Sequence, residues 1–307
     1  MASAESSSSL ASSASSGAAA LESLARSRYR SRRAVVFRRL VHHKGAVAGF
    51  IIAVALIITA LAAPIIATHD PIETTRNTFA PPSRANLMGT DNFGRDIFSR
   101  VVYGTRISLR MGIVAVLIGT TAGTLVGLIA GHYGGMTDMI VMRVIDAMMA
   151  FPGILLALTI AAVLGTGLTN AMIAVGVSWI PQFARLVRGN VLQVKAMPYV
   201  EAARSIGAGN ARLMARHVFP NVTTPILVLS TLGIASAILI GASLSFLGVG
   251  AQPPTPEWGA ILNQGRQYMR QAWWVMTFPG IAITITVMAA NLLGDGLRDA
   301  LDPRMKI

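Results

Sequence analysis

Residues 201–221 read EAARSIGAGNARLMARHVFPN, a polar stretch between apolar blocks that end near Val187 and resume near Val222. Most helix-to-helix connections are about 2–8 residues long, so an insertion of this length asks for a role. Its pieces favour helix. Pro198 suits a first helical turn, where its missing N–H is no loss. Glu201 falls early in that helix, where the dipole favours a negative charge. Gly207 and Gly209 interrupt it, as a tight bend requires. Asn210 is a good N-cap for a second short helix, which is expected to stop before Pro220. Two short helices at an angle, carried by two membrane spans, are the expectation. On these residues alone the pattern equally suits an amphipathic hairpin lying on lipid.

Composition places the stretch in a membrane protein. The chain has 307 residues, 53% hydrophobic and only 13% charged, with a mean hydropathy of +0.58; soluble proteins carry about 25% charged residues. The absence of cysteine excludes disulfides, thiolate metal sites and cysteine nucleophiles. A net charge of +13 would suggest nucleic acid on a soluble protein, but its location argues otherwise. Residues 1–20 are dominated by Ser and Ala and read as a disordered tail. A basic run from Arg26 to Lys44 then meets an apolar span from Ala46 to about Ala67. That order is the positive-inside signal and puts the N-terminus in the cytoplasm. The apolar run is too long, and too far along the chain, for a cleaved signal peptide, so it reads as a retained anchor.

Residues 68–105 balance four acids against four arginines, as befits an outer loop. Within it Asp91 is expected to cap a helix with Phe93, Ile97, Val101 and Val102 on one face, resting on the outer membrane surface. DNFGRD lacks the alternating oxygen ligands and distal Glu of a calcium loop. Further spans follow at about 107–130, 138–163, 168–187, 222–249 and 274–294. Six spans return the C-terminus to the cytoplasm and place residues 201–221 inside; the loop is basic, with Arg185, Arg188, Lys195, Arg204, Arg212 and Arg216 against Glu201 alone. Residues 250–272 fall outside, with an extended QPPTPEWG piece and four aromatic residues in or beside it. Proline breaks at Pro152, Pro181, Pro225 and Pro279 allow kinks. Small residues at 119–131 allow close helix packing.

Absences narrow the function. Residues 111–131, 147–184, 222–250 and 272–294 contain no Asp, Glu, Lys, Arg or His. An ion-coupled carrier usually keeps an ionisable group at mid-membrane. Asp146, Arg143 and Asp295 stand at span ends, where capping or local pairing is expected. No glycine-rich phosphate loop precedes any of the lysines Lys44, Lys195 and Lys306, so any ATP used must be bound by another chain. Ser243 lies on a span with a glycine two residues before it, but no histidine lies inside a span to serve as its base; it reads as a packing residue.

Residues 201–221 resemble the EAA loop of the membrane subunits of bacterial ATP-binding-cassette importers. Glu201, Ala202, Ala203, Gly207 and Pro220 match. His217 and Phe219 stand where the motif has Ile and Leu. The sequence His217-Val218-Phe219-Pro220-Asn221 is similar to the dipeptide/oligopeptide/nickel branch, with Phe for the usual Leu. LMGTDNFGRDIFSRVVYGTRISL at 87–109, FPGILLAL at 151–158, SFLGVGAQPPTPEWGAIL at 245–262 and NLLGDGLRDALDPR at 291–304 resemble the C-type permease of that branch. The likeness covers about residues 40–307 and leaves the Ser/Ala tail outside.

The resemblance implies an all-α integral membrane protein of the type I importer permease fold, in a bacterial plasma (inner) membrane. It implies a tail at 1–44, a first span with its outer loop at 45–105, a transmembrane body at 106–297 and a cytoplasmic end at 298–307. It implies a heterodimer with a B-type permease, two ATPase subunits that bind ATP and Mg, and an extracytoplasmic binding protein that delivers cargo. The chain itself would hold no cofactor or metal, bind no nucleic acid and have no catalytic residue. Glu201, Ala202, Ala203, Gly207, His217 and Pro220 would form the ATPase-coupling loop. Ser243, Ser245, Thr284, Thr286 and Asn291 are polar candidates for the translocation path. Peptides are the expected cargo, with nickel chelates and haem as alternatives in the same branch. A secondary carrier and a membrane scaffold or enzyme are the rival classes.

Overall fold

The computed structural model describes residues 37–301. The Ser/Ala tail, the arginines at 26–33 and residues 302–307 lie outside the described residues. Helix α1 (Lys44–Leu61) is capped by His43, whose ring nitrogen accepts from the Ala46 amide. A short α2 (Ala63–Ile66) follows. Helix α3 (Ile97–Tyr133) is 37 residues long. Helices α4 (Gly135–Met149) and α5 (Gly153–Leu164) meet at 94°, and α6 spans Leu168–Lys195. The polar hairpin holds α7 (Pro198–Ser205) and α8 (Asn210–Leu213), and a π-turn (Met214–Val218) leads into α9 (Phe219–Phe246). Helix α10 (Trp258–Gly265), a 3₁₀ turn (Arg266–Tyr268) and α11 (Trp274–Leu301) complete the chain. The described residues form no strand, only an isolated bridge between Thr90 and Asp96.

Four expectations about boundaries are corrected. The cap of α3 is Asp96, not Asp91: its carboxylate accepts from the amide and hydroxyl of Ser99. Asp91 instead closes a turn by accepting from the amides of Phe93 and Arg95. Gly94 in that turn has φ +70°, a conformation that cannot propagate a right-handed helix. Phe93 is exposed, whereas Ile97, Val101 and Val102 are buried against protein rather than lipid. Second, Gly209, not Asn210, occupies the N-cap position of α8. Third, the chain does not break before Pro220. The Phe219 amide reaches back to Met214 O, and this wider π register lets a proline without N–H follow in the first turn of α9. The expected third span is two pieces, because Pro152 ends one helical run and caps the next.

Helices α3 and α6 form the centre. On α3, Gly119, Gly123, Gly127 and Gly131 are each four residues apart. They face Trp179, Phe183, Val187 and Val191 on α6, also four apart. Ridges along i±4 rows pack in this way, and the constant offset means the two helices run parallel. A Cβ on Gly123 would stand 2.5 Å from Phe183 Cβ, so the close approach depends on glycine. Helix α9 lies antiparallel on the same α3, with Gly112 against Ile238 and Gly241 against Met111. Helix α1 runs antiparallel to α11, with Gly49 against Ala289 and Gly296 against Ala46.

Among the described residues, four helices are long and apolar enough to cross a membrane, and the bent α4–α5 pair makes a fifth candidate. Helix α6 does not qualify by composition, although its 28 residues extend about 42 Å. Its side chains Val175, Trp179, Phe183 and Val187 are buried within the bundle. A helix surrounded by protein does not need the apolarity that a lipid-facing one requires.

One end of the bundle carries the 67–96 loop and α10. There Trp258, buried, donates from its indole to Val101 O, and Trp274 donates to Thr90 O. Ile97, Ile261 and Val275 complete that apolar cluster. The opposite end carries the α7–α8 hairpin.

Candidate functional site

The hairpin is anchored from beneath and bare on top. Val200, Ala203 and Leu213 are buried together, with Val194 of α6 and Ala208 packed against them. Asn221 donates to Tyr199 Oη at 3.1 Å and to His217 O at 2.6 Å, which ties the start of α7 to the start of α9. The His217 ring lies 6.3 Å from that of Tyr199. Gly207 has φ +84° and follows Ile206, the C-cap of α7, as the left-handed stop that a helix C-terminus favours. A Cβ there would meet nothing within 4 Å, so conformation, not crowding, calls for glycine.

Of the six loop candidates, Glu201, Ala202, Gly207 and Pro220 are exposed, His217 is half-buried and Ala203 is buried. Glu201 forms no ion pair among the described residues. Ile206, the C-cap of α7, is 87% exposed. The hairpin thus presents an unpaired carboxylate, a small-residue face and an uncovered aliphatic side chain.

The supports beneath are ionic. Lys195 donates from Nζ to the carbonyls of Gly131 and His132 and so caps the C-terminus of α3. Arg188 pairs with Asp138 through two nitrogens. Arg185 pairs with Asp146, as expected for a charge at a span end. These pairs fasten α4 to α6, and α6 to α3, next to the hairpin.

The five path candidates do not share one environment. Ser243 is half-buried, Thr284 and Asn291 are exposed, and Thr284 and Asn291 stand seven residues apart on one side of α11. Ser245 is buried and its hydroxyl accepts from the Ala251 amide. Thr286 is buried and bonds its own helix at Ala282 O. The last two point into packed protein.

Sequence reasoning missed the polar groups at the α10 end. Glu257 is wholly buried, caps α10 by accepting from the Ala260 amide and takes a bond from Ser108 of α3. Arg95 and Arg100 share Asp91, and both reach Gln264 Oε1. Glu257 lies within the proline-rich QPPTPEWG piece, which read only as extended chain, and Gln264 is 164 residues from Arg100, so neither showed its buried partners locally.

Residues 123–307 match the family described as the binding-protein-dependent transport system inner membrane component. Residues 31–82 match the N-terminal transmembrane domain of oligopeptide transport permease C. The chain is 46% identical over 271 residues to the dipeptide transport system permease protein DppC of Alkalihalophilus pseudofirmus, covering 88% of this chain and 89% of that one. It is 53% identical over 225 residues to the glutathione transport system permease protein GsiD of Pectobacterium atrosepticum, covering 73% and 75%. Its fold is similar to a chain of the inward-facing MetNI methionine ABC transporter, with a TM-score of 0.53, 21% identity, and coverage of 67% of this chain and 98% of that one. Fold, family match and identity over nearly the whole length agree, and the chain belongs to the binding-protein-dependent inner-membrane transport components, as a C-type permease of the dipeptide/oligopeptide branch of ATP-binding-cassette importers.

Proposed function

We propose that this chain forms, with a B-type permease, the membrane path of an importer for short peptides, and that the α7–α8 hairpin receives the work of ATP hydrolysis from a separate subunit. The observation that carries the proposal is the hairpin, exposed on one surface and packed on the other against the end of α6. The peptide assignment draws on the dipeptide and glutathione permeases that the chain resembles. Two ATPases would hold ATP and Mg, and an extracytoplasmic binding protein would hand over cargo.

Six crossings follow if α6 spans beside α3, with α4 and α5 together as the return. The alternating helix directions then put both termini and the hairpin on the cytoplasmic face of a bacterial inner membrane. Ala202 leaves room for close seating in a groove of the ATPase, with Ala203 packing beneath it. Glu201 supplies a carboxylate for a basic group or backbone donors there. Gly207 sets the angle between the two helices, while His217 and Pro220 join the hairpin to α9. A push on the hairpin moves α6 and α9 together, and both lie on α3. That is a rigid-body route to alternating access. Ser243, Thr284 and Asn291 are the path candidates left accessible within this chain.

The test uses the complex purified with its co-isolated subunits and reconstituted in liposomes. Glu201→Arg is expected to leave assembly intact and to abolish both peptide uptake and its stimulation of ATPase activity. Normal stimulated ATPase in the assembled variant would overturn the coupling role. Isolation of the chain without ATPases, with uptake driven by a proton gradient, would overturn the importer reading.

A further inference from the structure

A cavity of about 350 Å³ opens at the α10 end, between residues 248–253 and the α10–3₁₀ segment. Its polar lining is Gln252, Asn263, Gln264, Arg266 and Gln267, and no carboxylate lines it. Existing bonds orient two of these groups. Gln252 donates from Nε2 to Gly248 O and Gly250 O, at 2.9 and 3.0 Å, which leaves its Oε1 as an acceptor. Gln264 accepts with Oε1 from Arg95 at 2.7 Å and from Arg100 at 3.4 Å. Its Nε2 is buried and has no partner. Arg266 and Gln267 are exposed, and Arg266 forms no ion pair among the described residues.

Charge behind the cavity is unbalanced. Arg95 and Arg100 are buried, and among the described residues the only carboxylate paired with them is Asp91, at 2.7 and 3.8 Å. Arg100 Nε has no hydrogen-bond partner. A buried charge left without a counter-charge is costly, and Gln264 alone links this cluster to the cavity wall. A separate, mainly apolar cavity of about 330 Å³ lies along α9, α10 and α11, lined by Leu239, Ser243, Phe246, Leu262 and Ile283 among others. Leu262 lies on the side of α10 opposite Ala260, Asn263 and Gln264, so the helix separates the two cavities. A cationic, donor- and acceptor-bearing cavity fits one end of a peptide: a carboxylate with its amide. The volume is within the range of small-ligand sites, roughly 300–1,000 Å³.

We propose that the polar cavity is a cargo subsite, in which Arg266 and the free amide of Gln264 take the C-terminal carboxylate of a peptide. The assignment rests on the peptide reading above. The probes are trialanine and trialanine amide, delivered by the binding protein to the reconstituted complex. The wild type should favour the free acid. Arg266→Ala should raise KM for the free acid about tenfold, the loss of one charge-assisted hydrogen bond. It should leave KM for the amide, and kcat for both, unchanged, and Arg266→Lys should restore part of the preference. Equal changes for acid and amide, or no change, would overturn the subsite while leaving the peptide reading intact. So would weaker attachment of the binding protein to the Arg266→Ala complex, which would make the cavity a docking contact. A wild-type complex that transports neither peptide would overturn the peptide reading and the subsite with it.

Discussion

Glu257 has no exposed surface, and its carboxylate is held by an α10 amide and by Ser108 of α3. Burial pushes its carboxyl above the ordinary carboxylate range, against the opposing pull of those donors and Ser245. The folded chain therefore holds this proton more tightly than the unfolded chain. The associated stability is fully present below the ordinary carboxylate value and is lost as pH rises through the higher folded value. Thermal unfolding of the purified complex should thus show a component that is more stable in mild acid than at neutral pH. Glu257→Gln keeps an acceptor for the Ala260 amide and should remove that component with little loss of stability. Glu257→Ala leaves the Ala260 donor unsatisfied and should cost about 1–3 kcal/mol. A pH profile unchanged by Glu257→Gln would refute this account. Glycine effects at the residue scale divide in two. At Gly207 only φ demands glycine, whereas at Gly259 a Cβ would stand 2.1 Å from Ala242 O.

Among the elements, the α3–α6 pair sets the geometry on which the others rest. Gly123→Leu would drive a side chain into Phe183 Cβ and Ile180 O, the second of which is backbone and cannot move aside alone. The expected cost of overpacking is about 1–3 kcal/mol, visible as a lower unfolding temperature of the complex in detergent. An unchanged temperature would mean that the two helices are not in this contact. The small-residue run at 119–131 was legible as a packing stripe. Its partner was not, because Trp179, Phe183, Val187 and Val191 read locally as one face of any amphipathic helix. The break at Pro152 was legible as a kink, but the 94° turn there was not. A proline permits a break, and neighbouring helices set its angle. The hairpin shows the same division. Gly207 was readable as its bend from residue type, while the continuity of α8 with α9 through a π-turn depends on hydrogen bonds that residue types do not announce.

Across the whole molecule, the helix directions place the hairpin and the α10 cavities at opposite ends. The lack of native cysteine makes this directly measurable. In intact cells, Gln267→Cys should react with a membrane-impermeant maleimide, and Ile206→Cys should react only after the membrane is opened. Labelling of both from outside would refute the proposed orientation.

By itself the sequence determined that this is a helical membrane protein, which stretches are apolar enough to cross, where its polar insertion lies and which family pattern that insertion follows. Those properties depend on composition, periodicity and local residue order. Tertiary structure alone decided that α6 is a protein-enclosed helix beside α3, that Ser245 and Thr286 face packed protein, and that Glu257, Asp91, Arg95, Arg100 and Gln264 gather at one end. Helix packing brings together residues distant in the chain, and the cost of burying a polar group depends on which partners that packing supplies.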